Sequence, residues 1–182
     1  MKFDEPSLTM SAETEAKLRQ CVRGVAQTVR TDRGLRFSRL PAWTYLQHAH
    51  APIVAKVAER LSGARFELET SADRVAVRYR SLRDSAPSFN WIAGPSTISI
   101  TAQEVSSSIS HSNGDVRVWE GEEVLEIQPG EDSIAVFQLP VTDRPRMLKV
   151  WLPQNCPVEV IDVSANAEWL PVLIPSEPTW VH

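Results

Sequence analysis

Apolar and polar residues alternate with period two along much of the chain. In Arg65-Phe66-Glu67-Leu68-Glu69 the apolar side chains fall on one face and the charges on the other. The stretch from Arg74 to Arg80 repeats this, with Val75, Val77 and Tyr79 set against Arg74, Arg78 and Arg80. Period two is the spacing of a half-buried strand, and a strand with one wet face belongs to an antiparallel sheet. Further strands are predicted over 21–30, 97–101, 104–109, 115–119, 124–128, 133–139, 146–152 and 157–163.

The turn residues agree with this pattern. Asn113-Gly114 is the pair favoured in tight hairpins, where both central residues need positive φ. Gly121 and Pro129-Gly130 mark two more reversals. Short strands with turns at this spacing predict an all-β fold, an antiparallel β-sandwich of jelly-roll type. One short helix is expected near 52–61, where Ile53, Val54, Val57, Ala58 and Leu61 follow helical spacing. Pro52 suits its first turn, and Gly63 suits a left-handed residue just past its end. Ser11 could cap another short helix over 11–20, and the first ten residues read as a loose arm.

At 42% hydrophobic residues, 182 residues are enough for one domain with a real core. The formal net charge of -4 argues against general nucleic-acid binding. Charge is nevertheless uneven. Lys17, Arg19, Arg23, Arg30, Arg33, Arg36 and Arg39 meet only Asp32, whereas Asp115 to Asp132 is acidic with Arg117 its only base. Solvated strand faces account for both, since a nucleic-acid groove would interleave aromatics with the early basic residues. No run approaches a membrane span and the N-terminus lacks an apolar signal core, so a cytoplasmic location is expected. Cys21 and Cys156 fit two reduced thiols rather than a metal-binding pair.

Candidate chemistry is sparse. His48 and His50 have no cysteine or carboxylate nearby to complete a zinc set, and no calcium loop or phosphate-cradling glycine motif occurs. Ser106 to His111 has the composition of a nucleophile turn, but Asn113-Gly114 and another strand follow it instead of a helix. It is read as a strand. No cofactor, metal ligand or catalytic residue is assigned. The six tryptophans carry more information. Leu148, Val150 and Leu152 form an apolar face, which places Trp151 opposite with Met147 and Lys149; Trp119 likewise points away from Val116 and Val118. Each tryptophan could equally be a core residue, whereas a half-exposed one marks a contact surface, for a sugar or another domain.

Three short motifs occur in order: Arg39-Leu40-Pro41, Trp151-Leu152-Pro153-Gln154-Asn155 and Trp180-Val181-His182. Between them lie Ser62-Gly63-Ala64-Arg65-Phe66, Thr70-Ser71-Ala72-Asp73-Arg74-Val75 and Ser112-Asn113-Gly114. Over residues 19–182 the chain resembles the N-terminal β-sandwich domain of a subgroup of SGNH (GDSL-type) hydrolases, a subgroup that includes a polyketide-tailoring acyltransferase. The resemblance implies a carbohydrate-binding-module-like sandwich that precedes a catalytic α/β domain. It also implies that the serine nucleophile and its partners lie beyond His182, so no catalytic role carries over to any residue here. The expected organisation is an arm over 1–18, the sandwich over 19–165 and a connector over 166–182. The expected function is that of a non-catalytic accessory domain, with Trp119, Trp151, Trp180 and His182 as candidate contacts to the hydrolase domain. The alternative is an independent carbohydrate-binding module with Trp119 or Trp151 stacked on sugar rings.

Overall fold

The computed structural model describes residues 7–47, 60–82, 96–102, 109–113, 116–118, 122–125, 132–153 and 157–173. Among these residues two helices, α1 (Ala12–Cys21) and α2 (Ala42–Gln47), accompany a mostly β fold. The early strands are β1 (Val22–Arg23), β2 (Gln27–Arg30), β3 (Leu35–Ser38), β4 (Arg65–Thr70) and β5 (Arg74–Ser81). Then come β6 (Ser96–Ala102), β7 (Ile109–Asn113), β8 (Val116–Val118) and β9 (Glu122–Leu125). The last four are β10 (Asp132–Gln138), β11 (Arg146–Trp151), β12 (Val158–Ala165) and β13 (Trp169–Pro171).

All strand pairs are antiparallel. The first sheet runs β1-β4-β11-β6-β7, with β13 also paired to β4, and the second runs β10-β5-β12-β3-β2. Strands β8 and β9 pair with each other. Neither large sheet closes on itself. One apolar core joins them, drawing Phe66, Leu68, Leu148 and Val150 from the first sheet and Leu35, Val77, Tyr79, Phe137 and Val160 from the second. Phe37 of β3 meets Phe66 of β4 edge-on, with ring centroids 5.5 Å apart.

The chain crosses between the sheets in three residues, Ser71 to Asp73, and side chains brace this corner. The Thr70 hydroxyl donates to the Glu168 carbonyl at 2.8 Å and accepts from the Ala72 N–H at 3.0 Å. Arg146 Nη2 donates to the Ala72 carbonyl at 2.8 Å, and the Leu139 N–H donates to the Asp73 carbonyl at 2.7 Å. Asn166 accepts from the Arg74 N–H at 3.1 Å. Arg146 therefore shares the buried face of Leu148 and Val150 without leaving the corner carbonyl unsatisfied.

Residues 11–20 do form a helix, one residue displaced as α1. Ser11 caps it, its hydroxyl accepting the Thr14 N–H at 3.0 Å, and Glu13–Lys17 and Glu15–Arg19 pair one turn apart. Leu18 and Cys21 enter the core, so the strand predicted over 21–30 is instead a helix end followed by the two short strands β1 and β2. Met10 is buried and its N–H donates to the Arg33 carbonyl at 2.8 Å, so the end of the presumed loose arm is packed. The helix expected near 52–61 falls almost wholly outside the described residues. Gly63 beyond it has φ 80°, in the left-handed region as expected.

Gly114, Gly121 and Pro129-Gly130, where turns are expected, lie outside the described residues; β7 pairs with β6, and β8 pairs with β9. The charged face of β5 is not open to water, because Ala76 and Arg78 are buried. Arg78 lies 3.8 Å from the Asp132 carboxylate, which Arg33 grips from β2–β3 turn residues with both guanidinium nitrogens. Thus the early basic stretch meets the late acidic one at Arg33 and Asp132, in a half-buried pair rather than as solvated faces.

Candidate functional site

The outer face of the first sheet is built from alternate residues of β4 and β11 with their edge partners. Register places Arg65 beside Trp151, Glu67 beside Lys149 and Glu69 beside Met147. The other edge of β4 is shared end to end: Arg23 of β1 lies beside Arg65, and Leu170 of β13 beside Glu69. Directly paired residues project to the same side, so these side chains form one surface. Backbone pairing continues one residue past β13, where the Val172 N–H donates to the Glu67 carbonyl at 2.9 Å.

Glu67 is almost fully buried although it stands on this outer face. Its carboxylate accepts from Arg65 Nε at 2.7 Å and lies 3.8 Å from Arg23 Nε. A buried carboxylate survives only with such partners, so Glu67 is held as an ion-pair acceptor, with both oxygens turned toward guanidinium groups. Arg65 also stacks over Trp151, with its guanidinium carbon 5.0 Å from the ring centroid. Trp151 is half-buried, on the side opposite Leu148, Val150 and Leu152 as the alternation predicts. On the flank, Lys17 of α1 lies 5.2 Å over the ring of Trp169, a buried residue.

Beneath this face, Cys21 is the one free thiol among the described residues. Burial pushes it up to about 12, against the lesser opposing influence of Arg23. A thiol so far from ionisation at neutral pH is a core residue, not a nucleophile. Among the described residues no three His, Cys, Asp or Glu side chains are placed to hold a metal ion. The face can therefore offer apolar contact, ring stacking and charged hydrogen bonds. Among the described residues it shows no paired nucleophile and base.

Of the four candidate contacts, Trp151 lies on this face, and Trp119, Trp180 and His182 fall outside the described residues, as do His48, His50 and Cys156. Ser110 and His111 lie in β7, which pairs with β6 as a strand. Two pieces of the sequence resemblance converge at one end of the face. The Leu152 N–H donates to the Ala64 carbonyl at 2.9 Å, which ties Trp151-Leu152-Pro153 to Gly63-Ala64-Arg65-Phe66. The exposed apolar residues Leu170 and Leu173 were missed, since a three-residue strand ending in proline carries no alternation.

No family model and no curated protein sequence matches this chain. Solved structures share its fold, among them the following two. The salicylyl-acyltransferase SsfX3 from a tetracycline biosynthetic pathway superposes with a TM-score of 0.59 and 18% identity, over 85% of this chain and 39% of its own. A protein described as a GDSL-like lipase from Bacteroides ovatus superposes with a TM-score of 0.54 and 13% identity, over 85% of this chain and 41% of its own. The chain spans about two-fifths of the length of these structures. No helix among the described residues is long and apolar enough to cross a membrane.

Proposed function

We propose that this chain is a non-catalytic accessory domain of an SGNH/GDSL-type esterase or acyltransferase, packed on a catalytic domain and helping to shape its active site. The observation that carries the reading is the partial match: 85% of this chain is accounted for by only 39% of an acyltransferase and 41% of a GDSL-like lipase. In this reading the two sheets are a jelly-roll sandwich over 19–165, preceded by an arm over 1–18. Residues 166–182 lead toward the hydrolase domain, beginning with the sheet-bound Trp169–Pro171. Serine acyl transfer belongs to the rest of the parent protein.

A fluorophosphonate probe that reacts with activated serines tests this on the 182-residue chain and on the full-length gene product. Label and aryl-ester hydrolysis are expected in the longer protein alone. Labelling of the 182-residue chain would put a nucleophile inside it and end the reading. The half-buried Trp151 stacked by Arg65 favours a second reading, an independent carbohydrate-binding module. That reading requires tryptophan fluorescence to respond to oligosaccharides, and silence across a glycan panel counts against it.

A further inference from the structure

The outer faces of the two sheets are finished differently. On the second sheet, buried Arg78, Glu159 and Asp162 lie in ion pairs and hydrogen bonds made by the chain itself. The Ser7 N–H donates to Asp162 Oδ2 at 2.7 Å, Arg80 Nη2 lies 2.5 Å from Glu159 Oε2, and the Thr31 hydroxyl donates to Glu159. That face also exposes Val29 at 45% and Val136 at 41%, set among these paired charges. On the first sheet the outer face carries Leu170 at 51% exposure, with Met147, Lys149 and Trp151 half-buried.

We infer that this outer face of the first sheet, framed by Leu170, Met147 and Trp151, is the seat of a second domain of the same polypeptide. The inference rests on the accessory-domain reading and adds to it the surface used. The register sets its dimensions. Leu170 and Met147 flank Glu69 in one row, two strand spacings or about 10 Å apart, and Trp151 lies four residues along β11, about 13 Å from Met147. Apolar groups thus frame Lys149 and the Arg65–Glu67 pair, a mixture suited to an interdomain contact rather than to an obligate oligomer core.

Two observations identify the occupant as a covalently linked domain. More than half of each structural neighbour lies outside the match to this chain. Arg23 also holds the Val172 carbonyl at 2.7 Å, which delivers the chain at Leu173 to the margin of this same face. A domain that follows this segment in the same chain is tethered beside the face, at high effective concentration. The partner surface must set an apolar side chain against Leu170, and carboxylate or carbonyl acceptors against Lys149.

Maleimide labelling of single surface cysteines tests this, in a Cys156→Ser background where the remaining Cys21 is buried. Lys149→Cys and Met147→Cys report the first sheet, and Val136→Cys, 41% exposed on β10, reports the second. Each is labelled in the 182-residue chain and in the full-length gene product. At least tenfold slower labelling at 147 and 149 in the full-length protein, with 136 unchanged, is the expected result. Protection at 136 with none at 147 or 149 overturns the assigned face and leaves the accessory reading standing. No protection at any site, or a gene product with no further domain, sinks both. Concentration-dependent protection at 147 and 149 in the 182-residue chain makes the occupant a second copy and overturns the inference.

Discussion

Arg23 donates from Nη2 to the backbone oxygen of Val172 at 2.7 Å, joining residues 149 apart in sequence. The same guanidinium donates from Nη1 to the carbonyls of Gln20 and Val22 at 2.8 and 3.0 Å, and its Nε faces the Glu67 carboxylate. One side chain thus caps the end of α1, neutralises a buried acid on β4 and fastens the last described segment to the sheet. The two short edge strands, β1 and β13, lie end to end along β4 and depend on this connection.

Arg23→Ala should therefore cost about 2 kcal/mol, the scale of a charged hydrogen bond lost beside a buried partner. In a domain of this size that lowers Tm by about 4–8 °C. Urea unfolding measures the loss, and amide exchange at residues 169–172 should quicken more than exchange in β12. An Arg23→Ala variant with unchanged exchange at 169–172 would show that the strand is held by its backbone pairing alone.

Gly34 and Gly63 make a matched test of two different demands on glycine. A Cβ on Gly34 would lie 2.1 Å from the Val160 carbonyl oxygen, beside the irregular register of β12 between Val160 and Asp162. Gly63 has φ 80° with nothing within 4 Å of a modest side chain's first carbon. Gly63→Ala should cost about 1–2 kcal/mol from backbone conformation alone. Gly34→Ala should cost more, because rigid backbone must separate at the contact between β3 and β12. Equal unfolding midpoints for the two variants would refute this ordering.

Sequence patterning was legible where burial alone sets it. The alternation of β11 places Leu148 and Val150 inward and Trp151 outward, and the structure agrees. It misled where charges are buried. Arg78 and Glu67 read as wet residues because Asp132 beside the one, and Arg23 beside the other with Arg65, reach them from positions remote in sequence or through pairing that alternation does not encode. The β2–β3 hairpin was missed although Thr31-Asp32-Arg33-Gly34 carries a turn signature; Gly34 and Thr31 bond reciprocally there, at 2.9 and 3.1 Å. At the candidate face, Trp151 was found from its period, whereas Arg65 stacking on it and the edge position of Leu170 follow from pairing that no local pattern encodes.

Cys21 should be chemically silent in the folded chain. Its thiol is fully buried, burial pushes it to about 12, and its Sγ lies 3.6 Å from the Leu18 carbonyl. In a Cys156→Ser background, reaction with a disulfide reagent at pH 8 should be slower than for the urea-unfolded chain by at least about 100-fold, tracking the rare opening of the core. A rate within a few-fold of the unfolded chain would mean that α1 detaches readily from the sheets.

Asp162 should make stability fall as pH rises through the acid range. Burial is the main cause of its raised pKa, and hydrogen bonds from Ser7, Val163 and Thr14, with the charge of Arg78, oppose that rise without cancelling it. A carboxyl held above its ordinary value of 3.8 binds its proton more tightly in the folded chain than in the unfolded one. Its contribution is thus most favourable below that value and is lost as pH rises through the folded pKa. Asp162→Asn removes the titration and keeps an oxygen able to accept the Ser7 N–H. The stability difference between variant and parent should therefore move in favour of the variant between about pH 3 and about pH 8. Paired urea titrations across that range read the difference directly, because every other titrating group is common to both proteins. A difference that stays flat with pH, or moves toward the parent, would show that the hydrogen bonds and Arg78 outweigh burial at this carboxyl.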